Sequence, residues 1–331
     1  MNPDLPALPD PSAPAPPDPS MSARPDPSMS ARPDPGVPAP HPARLAVGVI
    51  GAGRAGTALG AALARAGHEV VAVSAVSEAS LRRARAAFPA AVITDPGQVL
   101  RRADLALLTV PDDVLPGLVA GLAATEAPMQ GRMLVHASGR HGLAVLEPAT
   151  RQGGLPLALH PVMTFTGRDD DVDRLAGTCF GVTAPEVLRP AAEALVIEMG
   201  GEPVFIAEEH RDLYHAALAG AANHLITLVA QAQDQLRAAG VPDPARLLGP
   251  LLSAALDNAL RFGDAGLTGP VARGDAETVA EHVRALAGAS PEALRAYVAL
   301  ARLTADRALA AGILTAADAQ RLLDVLAGAP R

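Results

Sequence analysis

Residues 45–74 read LAVGVIGAGRAGTALGAALARAGHEVVAVS, and the succession of patterns in this stretch decides the fold. Leu45–Ile50 is a short, unbroken apolar run, the signature of a strand buried on both faces. It enters Gly51-Ala-Gly-Arg-Ala-Gly56 directly, and an Ala/Leu-rich helical pattern follows from Thr57 to Ala66. Gly67 closes that helix, and His68–Ser74 supplies the next strand. Outside such a unit, GxGxxG is only a glycine-rich turn. Between a strand and a helix it is a phosphate cradle: Gly51 permits the tight turn, Gly53 lets the backbone approach a pyrophosphate, and Gly56 allows close helix–strand packing. Arg54 and Ala55 begin the helix, whose first N–H groups are free to receive an anion.

Working outward, strand patterns recur at 91–94, 105–110, 133–136, 156–160, 179–183 and 203–206, most of them separated by helical stretches. Such alternation predicts a parallel sheet with helices on both faces. After Glu208 only helical patterns remain, at 210–239, 245–262, 275–287, 291–311 and 315–327, punctuated by Pro and Gly. The expected fold class is therefore α/β: a Rossmann-type doubly wound parallel sheet over 44–207, followed by an all-α domain over 208–331. Residues 1–43 are set apart. The first 42 residues hold 15 of the 32 prolines and an exact tandem repeat, PDPSMSAR, at 17–24 and 25–32. Almost nothing there can offset ordering entropy by burial, so a disordered, partly polyproline-like tail is expected.

Composition excludes several function classes. The net charge is −8 from 27 basic and 35 acidic residues, which disfavours a nucleic-acid or anionic-membrane partner. All the basic residues are arginine. A chain without lysine cannot form a Schiff base, use pyridoxal chemistry, hold a phosphate with a Walker lysine or employ a lysine acid. The single cysteine, Cys179, excludes an internal disulfide and any multi-cysteine metal site, so no metal is expected. Cys179 lies in an apolar strand and reads as a core residue. No stretch has the make-up of a signal peptide or a membrane span, which makes the cytoplasm the expected location; the Ala-rich segment 214–233 reads as core or dimer interface.

The end of the second strand bears on the cofactor. An acidic residue there would bind the ribose of NAD and repel a 2′-phosphate. Val73-Ser-Ala-Val-Ser77 offers Ser74 and Ser77 instead, with Arg82 and Arg83 following, which favours NADP; Glu78 keeps NAD as the alternative. The cofactor would lie across Gly51–Gly56 and Thr109-Val-Pro111, the latter at the end of a later strand.

Taken together, GAGRAG (51–56), TVPDD (109–113), HASG (136–139), LHPVMTF (159–165), YHAALAGAANH (214–224) and LTGPVARGD (267–275) resemble a bacterial family that joins a Rossmann-like domain to a helical C-terminal domain of unknown function. The resemblance spans about residues 44–331. It implies an NAD(P)-dependent reductase or dehydrogenase, distantly similar to pyrroline-5-carboxylate reductase, ketopantoate reductase, the β-hydroxyacid dehydrogenases and prephenate dehydrogenase, and it implies a homodimer joined through the helical domains. The β-hydroxyacid dehydrogenases carry a Lys-x-x-x-Asn motif whose lysine donates the proton. The similar stretch here, Ala219-Gly-Ala-Ala-Asn223, keeps Asn223 and has alanine in place of the lysine. Ketopantoate reductase also relies on a lysine acid.

Two histidines can fill that place. His215, Ala219 and Asn223 stand at i, i+4 and i+8, which on a continuous α-helix is one face. His160, in His-Pro-Val-Met, ends a strand at the edge where open α/β sheets bind ligands. Prephenate dehydrogenases have a similar His-Pro-Met and a serine after an earlier strand, where Ser138 sits here. An imidazole with an ordinary pKa near neutrality would serve as the proton source; the plainer readings are a strand-end turn residue for His160 and an interface residue for His215. Tyr214 adjoins His215 and is either a substrate contact or a packing residue. Arg273 can hold a substrate carboxylate or form a structural ion pair, and Asp275 reads as an N-cap. Asn258 is expected to pack within the helical domain.

The expected activity is hydride transfer on a small carboxylate-bearing metabolite with NADP preferred, the chemistry shared among His160, His215, Ser138 and Asn223 and the substrate held by Arg273 and Tyr214. A non-catalytic NADP-binding sensor and a prephenate- or arogenate-dehydrogenase-like enzyme are the alternatives.

Overall fold

The structure, a computed structural model, describes residues 44–125 and 127–330. The disordered tail expected over 1–43 lies outside the described residues.

Strands β1 (Ala46–Ile50), β2 (Glu69–Ser74), β3 (Val92–Ile93), β4 (Leu105–Leu108), β5 (Met133–His136), β6 (Leu155–Pro161), β7 (Cys179–Thr183) and β8 (Glu202–Phe205) form one sheet in the order β3-β2-β1-β4-β5-β6-β7-β8. Helices α1 (Arg54–Arg65), α2 (Glu78–Ala87), α3 (Pro96–Arg102), α4 (Leu115–Ala123), α5 (Glu147–Thr150) and α6 (Arg189–Glu198) connect them. Residue alternation along β1 sends Val47 and Val49 to one face, where they meet Leu59 and Leu63 of α1, Phe88, and Leu195 and Val196 of α6. Ile50 points to the other face, into a second core with Val99, Leu100, Leu115, Val119 and Leu146. Both faces are therefore covered, as the apolar runs in the strands require.

The sheet departs from the all-parallel expectation at one edge. Strands β1 to β6 are parallel, but β7 runs antiparallel to β6, and β8 follows β7 in direction. The reason is the connection. Residues 162–178 contain only two short 3₁₀ turns, at Asp169–Asp171 and Asp173–Leu175, and no helix that could carry the chain back across the sheet. A parallel neighbour needs such a crossover; an antiparallel one does not.

Beyond the sheet come α7 (Arg211–Ala219), a π-helical turn (Gly220–His224), α8 (Leu225–Ala238), α9 (Pro244–Phe262), the short α10 (Pro270–Arg273), α11 (Ala276–Ala289), α12 (Pro291–Ala310) and α13 (Ala316–Ala327). Helices α10 to α13 close around Ala272, Val279, Val283, Leu294, Ala301, Ala305, Leu322 and Leu326. Helix α8 does not share that core. The most apolar window of Glu208–Ala238 has a mean hydropathy of 1.2, and none of it is buried within the chain. The reading of 214–233 as core is thus overturned. Leu225, Ile226 and Leu228 on α8 and Leu247, Leu251, Leu256, Leu260 and Phe262 on α9 are all exposed.

Two further expectations are corrected. Cys179 is exposed, because it is the first residue of β7 and burial begins only at Phe180. Asn258 is exposed on α9 and does not pack into the helical core.

Candidate active site at the carboxyl edge of the sheet

Because β1, β4, β5 and β6 are parallel, the segments that leave them all emerge at one edge. These are the glycine turn after Ile50, Thr109–Pro111, Ala137–His141, and His160, the penultimate residue of β6. The strand order reverses between β1 and β4, and such a switch point is where open α/β sheets hold ligands.

The glycine turn fits a pyrophosphate. Gly51 has φ +102°, and a Cβ on it would stand 2.8 Å from the Thr109 carbonyl oxygen, so only glycine serves there. Its N–H and that of Ala52 donate to the Ser74 carbonyl, which ties the turn to β2. Gly56 lies against the Thr109 side chain, whose hydroxyl donates to Gly51 O at 2.8 Å. A Cβ on Gly53 would meet only the Gly51 carbonyl oxygen, at 4.0 Å, and Gly53 stands at the N-cap of α1 with no side-chain cap. No acidic residue occupies the first turn of α1. The N–H groups of Arg54, Ala55 and Gly56 precede the first intrahelical bond, which Thr57 N makes to Gly53 O, and are the donors a bound phosphate would receive. The neighbouring helix differs: Ser77 caps α2 by accepting from Ser80 N at 3.1 Å, so this hydroxyl already has a structural task. Ser74 is nearly buried. Arg82 is exposed. Arg83 turns into a cleft of about 380 Å³ that it shares with Arg54, Arg65 and Arg168. Val110 is half-buried and Pro111 exposed beside the cradle.

The predicted chemical residues converge in part. His160 Nδ1 lies 2.8 Å from the Tyr214 hydroxyl, with the two rings edge-to-face at 5.7 Å. A Cβ on Gly139 would stand 2.8 Å from His160 Nε2 and 2.9 Å from His215 Cδ2, so both imidazoles press on the same bare backbone. Gly181, on β7 opposite His160, likewise leaves room for the Tyr214 hydroxyl. Ser138 is nearly buried, and its Oγ accepts from the N–H groups of Arg140 and His141 at 3.2 and 3.0 Å. It therefore closes the turn after β5, with its own hydroxyl proton left to give.

The π-turn removes Asn223 from the face proposed for it. Gly220–His224 has i→i+5 bonding, which breaks the α register between His215 and Asn223. Asn223 is exposed, and its carbonyl accepts from Thr227 Oγ1. Arg273 is also exposed, next to Asp275, which caps α11 as expected by accepting from Thr278 N at 3.1 Å. Among the described residues no hydrogen bond or ion pair joins Arg273 to the His160 group.

Electrostatics correct the view of His160 as a ready imidazolium. Burial, then the Arg211 charge and His215, lower its pKa to about 4, with Asp112 opposing. His160 is neutral at pH 7. Tyr214 is pushed up by burial, so it is a protonated phenol. His136 is fully buried and also lowered to about 4, chiefly by burial. Its tautomer follows from its partners: Ser138 N–H donates to Nδ1, so Nε2 carries the proton and donates to Gly142 O at 2.9 Å.

Several residues of the site carried no recognisable sequence signal. Arg211 spans three segments: Nε donates to His141 O, Nη1 to Gly181 O and Nη2 to Ser138 O. Glu208 accepts from Leu143 N and Ala144 N at 2.7 and 3.0 Å, and His141 Nε2 meets Asp112 O at 2.8 Å. The one available hint was the glycine of the HASG segment, Gly139.

A family profile for Rossmann-like domains matches residues 30–161, and one described as a domain of unknown function, DUF2520, matches 178–304. The chain joins a Rossmann-like domain to a DUF2520 domain. The DUF2520 match begins at β7, so it takes in the antiparallel edge of the sheet as well as the helices through most of α12. No curated protein matches the sequence. Among solved structures, a Bacteroides fragilis protein named as a candidate NADP oxidoreductase is 23% identical with a TM-score of 0.65, over 80% of this chain and 98% of its own. An imine reductase from Streptomyces aurantiacus is 22% identical, TM-score 0.59, over 84% and 99%. A pyrroline carboxylate reductase from Plasmodium falciparum with NADP bound is 11% identical, TM-score 0.51, over 84% and 98%. These likenesses establish a shared fold for the Rossmann-like and DUF2520 parts together.

Proposed function

We propose that the protein is an NADP-dependent oxidoreductase that transfers a hydride to or from a small, carboxylate-bearing metabolite. The observation that carries this reading is the placement of an uncapped α1 N-terminus over Gly51 and Gly53 at the same sheet edge as the His160–Tyr214 pair. Gly51, Gly53, Arg54, Ala55 and Gly56 would hold the pyrophosphate, Thr109–Pro111 would flank the nicotinamide half, and Ser74, Ser77 and Arg82 would meet the adenosine end. The NADP-bound fold relative and the absence of an acid at the end of β2 support NADP over NAD. A nicotinamide held there would supply the hydride. His160 supplies a hydrogen bond at the reacting oxygen or nitrogen through Nε2, and Ser138 and His215 flank it.

The exposed apolar rows of α8 and α9 support a homodimer in which a second copy covers them. Gln231, Asp234 and Gln235 on α8 would be costly in a bilayer, which favours that dimer, and a cytoplasmic protein, over a membrane span. Arg273 would contact substrate carboxylate in this reading.

The test is a parallel titration with NADPH and NADH, followed through the cofactor's own fluorescence because the chain has no tryptophan. NADPH binding at least tenfold tighter than NADH (about 1.4 kcal/mol), with turnover of a keto acid lost in His160→Ala, is the expected result. Binding without turnover of any carbonyl or imine substrate would favour the sensor reading, and loss of binding would remove the oxidoreductase reading.

A further inference from the structure

Arg211 is not needed by the chemistry described so far, and its surroundings are unusual. It opens α7, is 2% exposed, and is satisfied by the carbonyls of Ser138, His141 and Gly181 at 2.8, 3.1 and 3.2 Å. Among the described residues no carboxylate lies within ion-pair distance of it. A buried cation held only by neutral carbonyls keeps its field, which low-dielectric surroundings extend to nearby groups. Its guanidinium carbon lies 5.6 Å from the centre of the Tyr214 ring, and Tyr214 in turn bonds His160.

We propose, on the oxidoreductase reading, that Arg211 sets the substrate class. The site takes a compound whose reacting carbonyl group is uncharged and whose oxygen becomes negative during reduction, and it turns away a protonated imine. As the carbonyl carbon accepts the hydride of the reduced dinucleotide, its π electrons move to oxygen. His160 Nε2–H gives its proton to that oxygen, and the Tyr214 O–H proton passes to Nδ1. The phenolate that remains lies beside the Arg211 cation, which is where that charge is best tolerated. A solvent proton arriving at Nε2 then sends the Nδ1 proton back to Tyr214, and both groups are restored. An iminium would instead bring a positive charge toward a buried guanidinium, with no oxyanion for the relay to neutralise.

Every charged or titratable group around His160 bears on this. Arg211 and His215 oppose its protonation, Asp112 favours it, and Tyr214 is its hydrogen-bond partner. Glu208 and Asp112 also act on Arg211 from beyond ion-pair distance, and the Glu208 carboxylate is engaged by the N–H groups of Leu143 and Ala144. Arg211 is thus a positioning residue, acting through Tyr214 and His160.

The experiment is an NMR titration of the His160 imidazole in the full chain, in the wild type and in Arg211→Met, with oxamate and pyrrolidinium as probes in the presence of NADP. In the wild type His160 should titrate near pH 4 with the proton on Nε2, and Arg211→Met should raise that midpoint by about one pH unit or more. Oxamate should perturb the His160 signals at a concentration about tenfold or more below that needed for pyrrolidinium, and Arg211→Met should erase the difference. If Arg211→Met does not fold, Tyr214→Phe keeps Arg211 and should keep the oxamate preference while releasing the Nε2–H tautomer. A pyrrolidinium preference, or a His160 midpoint unmoved by Arg211→Met, would overturn the proposal. NADPH affinity, read separately by fluorescence, reports on the oxidoreductase reading alone, so the two fail independently.

Discussion

The chain has two tyrosines, and each meets a histidine in nearly the same geometry. Tyr214 lies 2.8 Å from His160 Nδ1 with rings edge-to-face at 89°, and Tyr297 lies 3.0 Å from His282 Nδ1 with rings at 82°. Only their settings differ. The first pair sits at the carboxyl edge of the sheet, against Gly139, Gly181 and the buried Arg211. The second joins α11 to α12 in the helical bundle, with His282 in solvent. Burial and a neighbouring cation hold His160 well below neutrality. The lesson is that a hydrogen-bonded pair has no chemistry of its own; the charges and the access around it confer one.

Substitutions sharpen that contrast. The largest effect is expected from His160→Ala, which should lower kcat/KM by about a thousandfold, as for the loss of a positioned proton donor. His282→Ala should leave it within about twofold. Equal losses in steady-state assays would erase the distinction.

A stability effect comes next. The folded pKa values of His136 and His160, about 4, lie below the unfolded value of 6.5. Above pH 6.5 both states are neutral at these sites and nothing is lost. As pH falls from 6.5 to 4 the unfolded chain binds protons that the folded site refuses, so stability declines by up to about 3 kcal/mol for each histidine. Urea unfolding followed by circular dichroism should show midpoints falling across that window, with a shallower fall in His136→Asn.

A smaller effect belongs to Gly139→Ala. The methyl group would be wedged between His160 Nε2 and His215, and turnover should drop by about tenfold or more while NADPH affinity is kept. A variant that turns over normally would show that the His160 side of Gly139 is not the reacting side. The smallest is Tyr297→Phe, which removes a half-exposed hydrogen bond and should cost about 1 kcal/mol or less, read as a small shift in Tm.

Much of this was legible in the chain. The apolar runs placed β1, β5 and β7 to within a residue, because a strand buried on both faces must be continuously apolar. The glycine turn was legible because the spacing of its glycines and the positive φ at Gly51 are local, although the close neighbour that forbids a side chain at Gly51 and Gly56 is the distant Thr109. His160 and Ser138 were singled out from motif resemblance and strand ends, and Tyr214 from its neighbour His215; the structure brings His160 and Tyr214 within hydrogen-bond distance. Arg211 and Gly181 were not found. Their importance comes from partners 30 to 73 residues away, which no local pattern reports. Asn223 was misplaced because helical periodicity assumes uniform α geometry, and a π-turn inside an apolar, Ala-rich run leaves no mark in composition.

The sequence by itself determined the order of elements, the phosphate cradle and, through the missing lysine, which proton donors are unavailable. These follow from residue type and near-neighbour spacing. Only the tertiary structure decided the direction of β7, the company of His160 and the neutral state of its imidazole. Those depend on desolvation and on long-range contacts, and both are set by what the rest of the chain brings near.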